Sequence, residues 1–304
     1  MSSSSVSDAS VPFASSGPPS SSDSPASSDA FTPSDAPVPS EDFWLTHPLG
    51  RISARAWRPG TPGPGVTEAP PIVLLHDSLG CIELWRDFPA VLARCTGRSV
   101  YAYDRPGFGR SDARTGLPSA NFIAEEAQEV FPSVCEQLGL SAVVVMGHSV
   151  GGIMAIHCAA GHADRCVALV TLAAQTCAEE RTRAGIRATL KSFEDPAQMA
   201  RLARYHGDKA AWVLAAWGGS WLGQDFEGWS MTGVLPQVRC PVLAIHGDRD
   251  EYSTTIHPDQ IGQYSGGPTR IELMPGVGHF PHRERQGDVL GLIQAWLPRT
   301  EPPA

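Results

Sequence analysis

The stretch Ala142-Val143-Val144-Val145-Met146-Gly147-His148-Ser149-Val150-Gly151-Gly152-Ile153-Met154-Ala155-Ile156 decides the reading of this chain. The apolar run up to Met146 predicts a short buried strand, and the run of small and apolar residues from Val150 predicts a helix. Ser149 falls on the turn between them. Gly147 and Gly151 stand two residues to either side, where any side chain would collide across so sharp a bend, and the bend itself holds Ser149 at positive φ. Such a turn lifts the hydroxyl off the sheet. The helix beginning at about Val150 aims its first free N–H groups and its positive end at whatever the serine attacks, which suits a developing oxyanion. Gly-x-Ser-x-Gly alone is a weak pattern in a chain with 30 glycines, since a plain small-residue turn would also produce it. The strand before and the helix after favour a nucleophile.

Outward from this turn, short β-branched runs alternate with longer helical stretches from residue 51 onward, the pattern of a mostly parallel α/β sheet with helices on both faces. Strands are expected near 51–57, 72–76, 99–103, 142–147, 166–172, 242–246 and 270–274. Helices are expected near 83–95, 122–138, 150–160, 257–264 and 285–297, and the Pro- and Gly-rich piece 59–71 reads as a loop. Between 174 and 239 the alternation stops. Leu190, Phe193, Met199, Leu202 and Tyr205 give that segment a helical pattern, followed by Trp212, Trp217, Trp221 and Trp229. It reads as a helical cap inserted into a core made of 43–173 and 240–304. Four of the chain's eight tryptophans fall within 18 residues of it. Any one ring serves packing alone well enough, but together they are expected to present apolar surface to a pocket, with Trp212, Trp217 and Trp221 as candidate substrate contacts.

A serine hydroxyl is a poor nucleophile near neutral pH and needs a base to take its proton and an acid to orient that base. In an open α/β sheet such groups gather beyond the carboxyl ends of the strands. Ile271-Glu272-Leu273-Met274 runs into Pro275-Gly276-Val277-Gly278-His279-Phe280, and His279, just past its strand, is the choice among ten histidines. His148 adjoins the serine and must point elsewhere, His246 reads as strand-terminal packing, and His282 is the nearest rival. Val242-Leu243-Ala244-Ile245-His246 runs into Gly247-Asp248-Arg249-Asp250-Glu251, three acids in one loop between which spacing does not choose. Asp248 is of the type that bonds its own turn, and Glu251 reads as a surface charge.

With His76-Asp77-Ser78-Leu79-Gly80, Asp104-Arg105-Pro106-Gly107-Phe108-Gly109-Arg110-Ser111, the Ser149 turn, Gly247-Asp248-Arg249-Asp250 and Gly278-His279 in this order, the chain resembles the α/β-hydrolase-fold enzymes, serine-triad branch with a helical cap. The resemblance covers about residues 45–298. It implies Ser149, Asp250 and His279 as the catalytic residues, with Asp250 preferred to Asp248 by its offset from the loop glycine. By matching position it implies the backbone N–H groups of Ser78 and Val150 as the oxyanion hole. One departure stands out: the family usually has Gly where this chain has Asp77. A carboxylate pointing inward would oppose the developing negative charge, so Asp77 is expected to turn outward or to position a polar substrate group. The Asp104–Ser111 loop reads as structural.

Composition limits the remaining possibilities. Residues 1–42 hold 16 serines and seven prolines and lack Lys and Arg, so they read as a disordered tail and not as a basic secretory or mitochondrial signal. Six acids in that tail leave only −3 of the net charge of −9 for the rest, which does not attract nucleic acid. No run is long and apolar enough for a membrane span. The seven cysteines are scattered, without metal-ligand spacing, and read as free thiols in a reducing compartment, so cytoplasm is the expected location. The expected function is hydrolysis of a small or medium, partly apolar ester through an acyl-enzyme, with no metal or cofactor and a small molecule as partner. Carbon–carbon hydrolysis of a diketone, thioester or lactone cleavage, and aminopeptidase activity using cap acids Glu179, Glu180 or Glu194 fit the same triad. A ligand-binding protein on this fold is the non-enzymatic alternative.

Overall fold

The computed structural model describes residues 37–60 and 68–297. The apolar runs become β2 (Gly50–Trp57), β3 (Ile72–Leu75), β4 (Val100–Tyr103), β5 (Val143–His148), β6 (Cys166–Leu172), β7 (Val242–Gly247) and β8 (Thr269–Met274), joined by an additional β1 (Ser40–His47). They form one eight-stranded sheet in the order β1-β2-β4-β3-β5-β6-β7-β8. β2 pairs antiparallel with β1 and β4, and every other pairing is parallel.

The central strands are apolar throughout because both of their faces are covered. Val73 and Leu75 of β3 and Val143 and Val145 of β5 enter one buried cluster with Phe131, Ile153 and Ile261. Their neighbours Ile72, Leu74, Val144 and Met146 point the other way, into a second cluster with Phe88, Leu92, Val289 and Ile293. Each such aliphatic side chain contributes about 1.5–3 kcal/mol by leaving water. The helices Phe88–Thr96 and Gln286–Trp296 cover the second face, and Phe131–Gln137, Val150–Gly161 and Ile256–Tyr264 the first.

Three expectations need correction. The stretch read as tail through residue 42 already contains the start of β1 at Ser40, while residues 1–36, like 61–67 of the expected loop, lie outside the described residues. The helix expected over 83–95 is a 3-10 turn, Ile82–Trp85, followed after Arg86 at φ 56° by the helix Phe88–Thr96. The helix expected over 122–138 is interrupted by a π-helical turn, Glu126–Val130, directly before Phe131-Pro132; proline has no N–H to continue the ladder.

β3 and β5 are sheet neighbours although β4 separates them in sequence. The strand order therefore reverses between them, and the crevice beyond their carboxyl ends is where such sheets place functional groups. Between β6 and β7 the chain runs through the helices Glu180–Ser192, Pro196–His206 and Ala210–Leu222. Pro196 opens the second of these, capped by the Asp195 carboxylate, which accepts the Ala197 N–H at 2.9 Å. All seven cysteines are free, five of them buried, and no helix among the described residues is long and apolar enough to cross a membrane.

Candidate active site

Ser149 sits between β5 and the Val150–Gly161 helix at φ 54°, ψ −124°, a conformation that costs roughly 1–3 kcal/mol for a residue with a Cβ. Its glycines are required. A Cβ on Gly147 would lie 2.0 Å from the Gly151 carbonyl oxygen, and one on Gly151 would lie 2.1 Å from that of Leu75 at the end of β3. The turn is anchored by Ser149 N–H donating to Leu172 O at 2.8 Å and by Gly152 N–H donating to Ser149 O at 2.9 Å.

His279 and Asp250 meet from the loops after β8 and β7. The imidazole Nδ1–H donates to Asp250 Oδ2 at 2.7 Å, and both side chains are almost fully buried. Asp250 Oδ1 accepts the N–H groups of Tyr252 and Ser253 at 2.8 and 3.1 Å, and Oδ2 accepts the Ser253 hydroxyl at 2.7 Å. Burial works against the carboxylate, but the His279 ring and these donors outweigh it and hold Asp250 well below the usual carboxylate range. Burial likewise opposes charge on His279, yet Asp250 outweighs it and raises the imidazole above its ordinary value. Nδ1 is thus committed, and among the described residues no hydrogen bond engages Nε2. Asp248, the alternative acid, instead accepts the Gly276 N–H at 2.7 Å and braces a turn. Glu251 is more than a surface charge: its Oε2 accepts the His279 N–H at 3.1 Å.

The loop after β3 is held from below. His76 donates Nδ1–H to Asp77 O at 2.8 Å and accepts the Arg105 N–H on Nε2 at 3.1 Å. Arg105 Nη2 donates to the same Asp77 oxygen at 2.8 Å. Asp104 accepts the N–H groups of Ile82 and Arg110 at 2.7 and 2.8 Å, so the Asp104–Ser111 segment is a brace. Neither the Ser78 nor the Val150 N–H donates to a protein acceptor among the described residues. Asp77 lines the cavity above Ser149, and its carboxylate lies against Gly80, where a Cβ would lie 1.8 Å from Oδ1.

That cavity, about 680 Å³, is lined by Ser149, His279, Ser78, Asp77, Gln175 and, from the helices between β6 and β7, Ile186, Trp217 and Trp221. A second space of about 590 Å³ on the far side of Trp217 and Trp221 is also bordered by Ser78 and Val150. Trp212 is not brought to either. Five residues before Trp217, it lies about 140° round the same helix, packs edge-on to Phe108 at 5.5 Å and donates Nε1–H to Gly116 O at 2.9 Å. Gln175 and Tyr252 were not singled out from sequence. Gln175 lies just past the carboxyl end of β6, so the strand-end rule that found His279 could have found it as well.

The alpha/beta hydrolase fold family model matches residues 70–208, a little under half of the chain, from β3 through the first two helices between β6 and β7. The chain has the α/β-hydrolase fold. It is 40% identical over 28% of its length to 1-acylglycerol-3-phosphate O-acyltransferase ABHD5 of Sus scrofa, and the match spans only 24% of that relative. It is 28% identical to the serine hydrolase BPHL of Mus musculus over 66% of this chain and 69% of the relative. Proline iminopeptidase of Mycobacterium smegmatis superposes with a TM-score of 0.62 at 21% identity, covering 84% of this chain and 97% of the other.

The remaining histidines of this α/β-hydrolase-fold chain are committed elsewhere. His148 donates Nε2–H to His279 O at 2.7 Å and lies 4.7 Å, ring to ring, from His282, the rival to His279, which packs against Trp85 and Phe88. His246 does more than pack: burial pushes it down to about 4, and its Nε2 lies 3.1 Å from Ser253 Oγ beside Asp250. His206 donates to Leu79 O at 3.0 Å and accepts the Gly109 N–H at 2.9 Å, tying the Pro196–His206 helix to the loops after β3 and β4. Glu179 pairs with His257 at 2.7 Å and Glu180 with Arg187, also at 2.7 Å. Among the described residues no group of three or more His, Cys, Asp or Glu is arranged to hold a metal ion.

Proposed function

We propose that this protein is a serine hydrolase that cleaves a small or medium, partly apolar carboxylic ester through an acyl-enzyme. The observation that carries the reading is that Ser149, held in a strained turn, and His279, fixed through Nδ1 by Asp250, line one cavity. In this reading Ser149 Oγ attacks the ester carbonyl carbon and His279 Nε2 takes its proton. The carbonyl oxygen, now negative, lies against the Ser78 and Val150 N–H groups. Collapse expels the alkoxide, which leaves with the proton from His279. Water then attacks the acyl carbon, giving its proton to His279, and the second collapse returns that proton to Ser149.

The apolar walls supplied by Leu79, Leu84, Ile186, Trp217, Trp221 and Phe280 support an apolar substrate portion. An aminopeptidase needs an anion for the substrate ammonium; none of Glu179, Glu180 and Glu194 lines the cavity, and Asp77 is the acid that does. The names of the relatives, a serine hydrolase and a proline iminopeptidase among them, agree with acyl transfer to water as the shared chemistry. Turnover of p-nitrophenyl butyrate by the wild type and by Ser149→Ala tests the reading: the variant is expected to lose roughly 10⁴- to 10⁶-fold in kcat. Equal rates in the two proteins would remove the esterase assignment.

A further inference from the structure

Resting on that reading, we propose that Gln175 is a specificity-determining residue that accepts a hydrogen bond from a hydroxyl or amide N–H on the substrate. Gln175 is 2% exposed, lines the cavity with Ser149 and His279, and its Oε1 has no hydrogen-bond partner. Buried amides are nearly always paired, because leaving one unpaired forfeits its hydration with nothing in return. Thr182 and Thr189 of the same lining obey that rule. Thr182 donates its hydroxyl to Tyr252 O at 2.7 Å, and Thr189 Oγ1 and the Tyr252 hydroxyl are bonded at 2.7 Å. Arg283, whose Nε is also without a partner, still donates through Nη2 to Leu84 O and stacks on Phe280.

The backbone that carries Gln175 into the cavity wall is pinned on both sides of it. Ala173, at φ 49°, donates its N–H to Ile245 O at 2.9 Å. Thr176 donates its N–H to His257 Nδ1 at 3.0 Å, and His257 in turn donates Nε2–H to Glu179 at 2.7 Å. The strained residue and the His257–Glu179 brace together hold Gln175, with its unsatisfied acceptor, in the wall of the space the substrate fills. Asp77 lines the same cavity. An unpaired acceptor in a largely apolar pocket calls for a ligand that brings a donor, and a site built this way discriminates against the analogue that lacks it.

The test measures kcat/KM in a pH-stat for methyl hexanoate, for its 2-, 3-, 4-, 5- and 6-hydroxy derivatives and for methyl N-acetyl-2-aminohexanoate, with wild type, Gln175→Met and Gln175→Leu. Wild type is expected to prefer at least one donor-bearing ester over methyl hexanoate by about tenfold, and both variants to lose most of that ratio. Thermal melting accompanies the kinetics: apolar residues of similar volume at an unpaired position are expected to melt no lower than wild type. No donor preference in wild type, or a preference that survives in the variants, overturns the proposal. Fluorophosphonate labelling separates this from failure of the hydrolase reading. Labelling of Ser149 without a donor preference sinks the role of Gln175 alone, whereas no labelling and no turnover of any ester sinks both.

Discussion

Two buried histidine–carboxylate pairs stand beside β7, each with a 2.7 Å contact, yet they differ in what the second ring nitrogen does. His257 gives Nε2–H to Glu179 and uses Nδ1 to accept the Thr176 N–H, so both nitrogens are spent on holding chain segments together. His279 gives Nδ1–H to Asp250 and faces the cavity with Nε2 uncommitted. Electrostatics follows the same division. Burial dominates at His257 and lowers its pKa, whereas at His279 the more deeply buried and fully hydrogen-bonded Asp250 overcomes burial and raises it. A histidine–acid pair is therefore a brace or a base according to its free nitrogen, not its ion-pair distance.

The sharpest way to break this comparison is to remove one charge from each pair. Asp250→Asn is expected to lower kcat by roughly 10³- to 10⁴-fold through loss of the correct tautomer, while Glu179→Gln keeps kcat on a plain ester within about tenfold. Comparable losses in both variants would erase the distinction. Next in size is the pH profile. Because Asp250 raises His279, and the base must be neutral to act, the acid limb of kcat/KM is expected above the ordinary histidine value of 6.5. In the residual activity of Asp250→Asn that limb moves toward acid, since burial is then unopposed. A limb unmoved by the substitution would show that His279 does not govern it.

The fold's response to acid extends the contrast to the other buried rings. His206 and His246 are pushed by burial from 6.5 down to about 4, so between those values the unfolded chain binds protons that the folded chain does not. Their contribution to stability is present above 6.5 and is lost as pH falls toward 4. His279 has the opposite sign: its stabilisation is full below 6.5 and is lost as pH rises through its raised folded value. Asp104, raised by burial to about 6, works against them in this window, but the lowered rings outnumber it, so the melting temperature is expected to fall from about pH 6.5 to 4, and a melting temperature that rises over that range contradicts neutral buried histidines. Smaller still, Glu179→Gln is expected to cost roughly 2–6 °C in Tm. Asp248→Asn, which disturbs only the Gly276 turn, is expected to leave kcat within about threefold of wild type.

Much of this was legible because burial writes itself into sequence. Strands covered on both faces must be apolar throughout, so β3, β5, β6 and β7 stand out as runs, and residues beyond their ends could be named before any coordinates. β1 was hidden for the converse reason. It is an edge strand with Ser40, Glu41, Asp42 and Trp44 exposed, paired on one side only, and its composition merges with the Ser- and Pro-rich stretch before it. Spacing alone does not choose among Asp248, Asp250 and Glu251; the resemblance favours Asp250 by its offset from the loop glycine, and in the structure only Asp250 reaches the imidazole, while Asp248 and Glu251 accept the N–H groups of Gly276 and His279. Trp212 was misread because tryptophan content says nothing of helix phase. Gln175 was missed because an unpaired acceptor is a property of its surroundings.

The central claim, that Ser149 is the nucleophile served by His279, is tested most directly by covalent trapping. Full-length protein is treated with a fluorophosphonate, and the adduct is located by peptide mass mapping in wild type and in His279→Ala. The account predicts a single adduct on Ser149 in wild type and a labelling rate lower by at least a hundredfold in the variant. An adduct on another residue, or labelling of Ser149 at the same rate without His279, would contradict it.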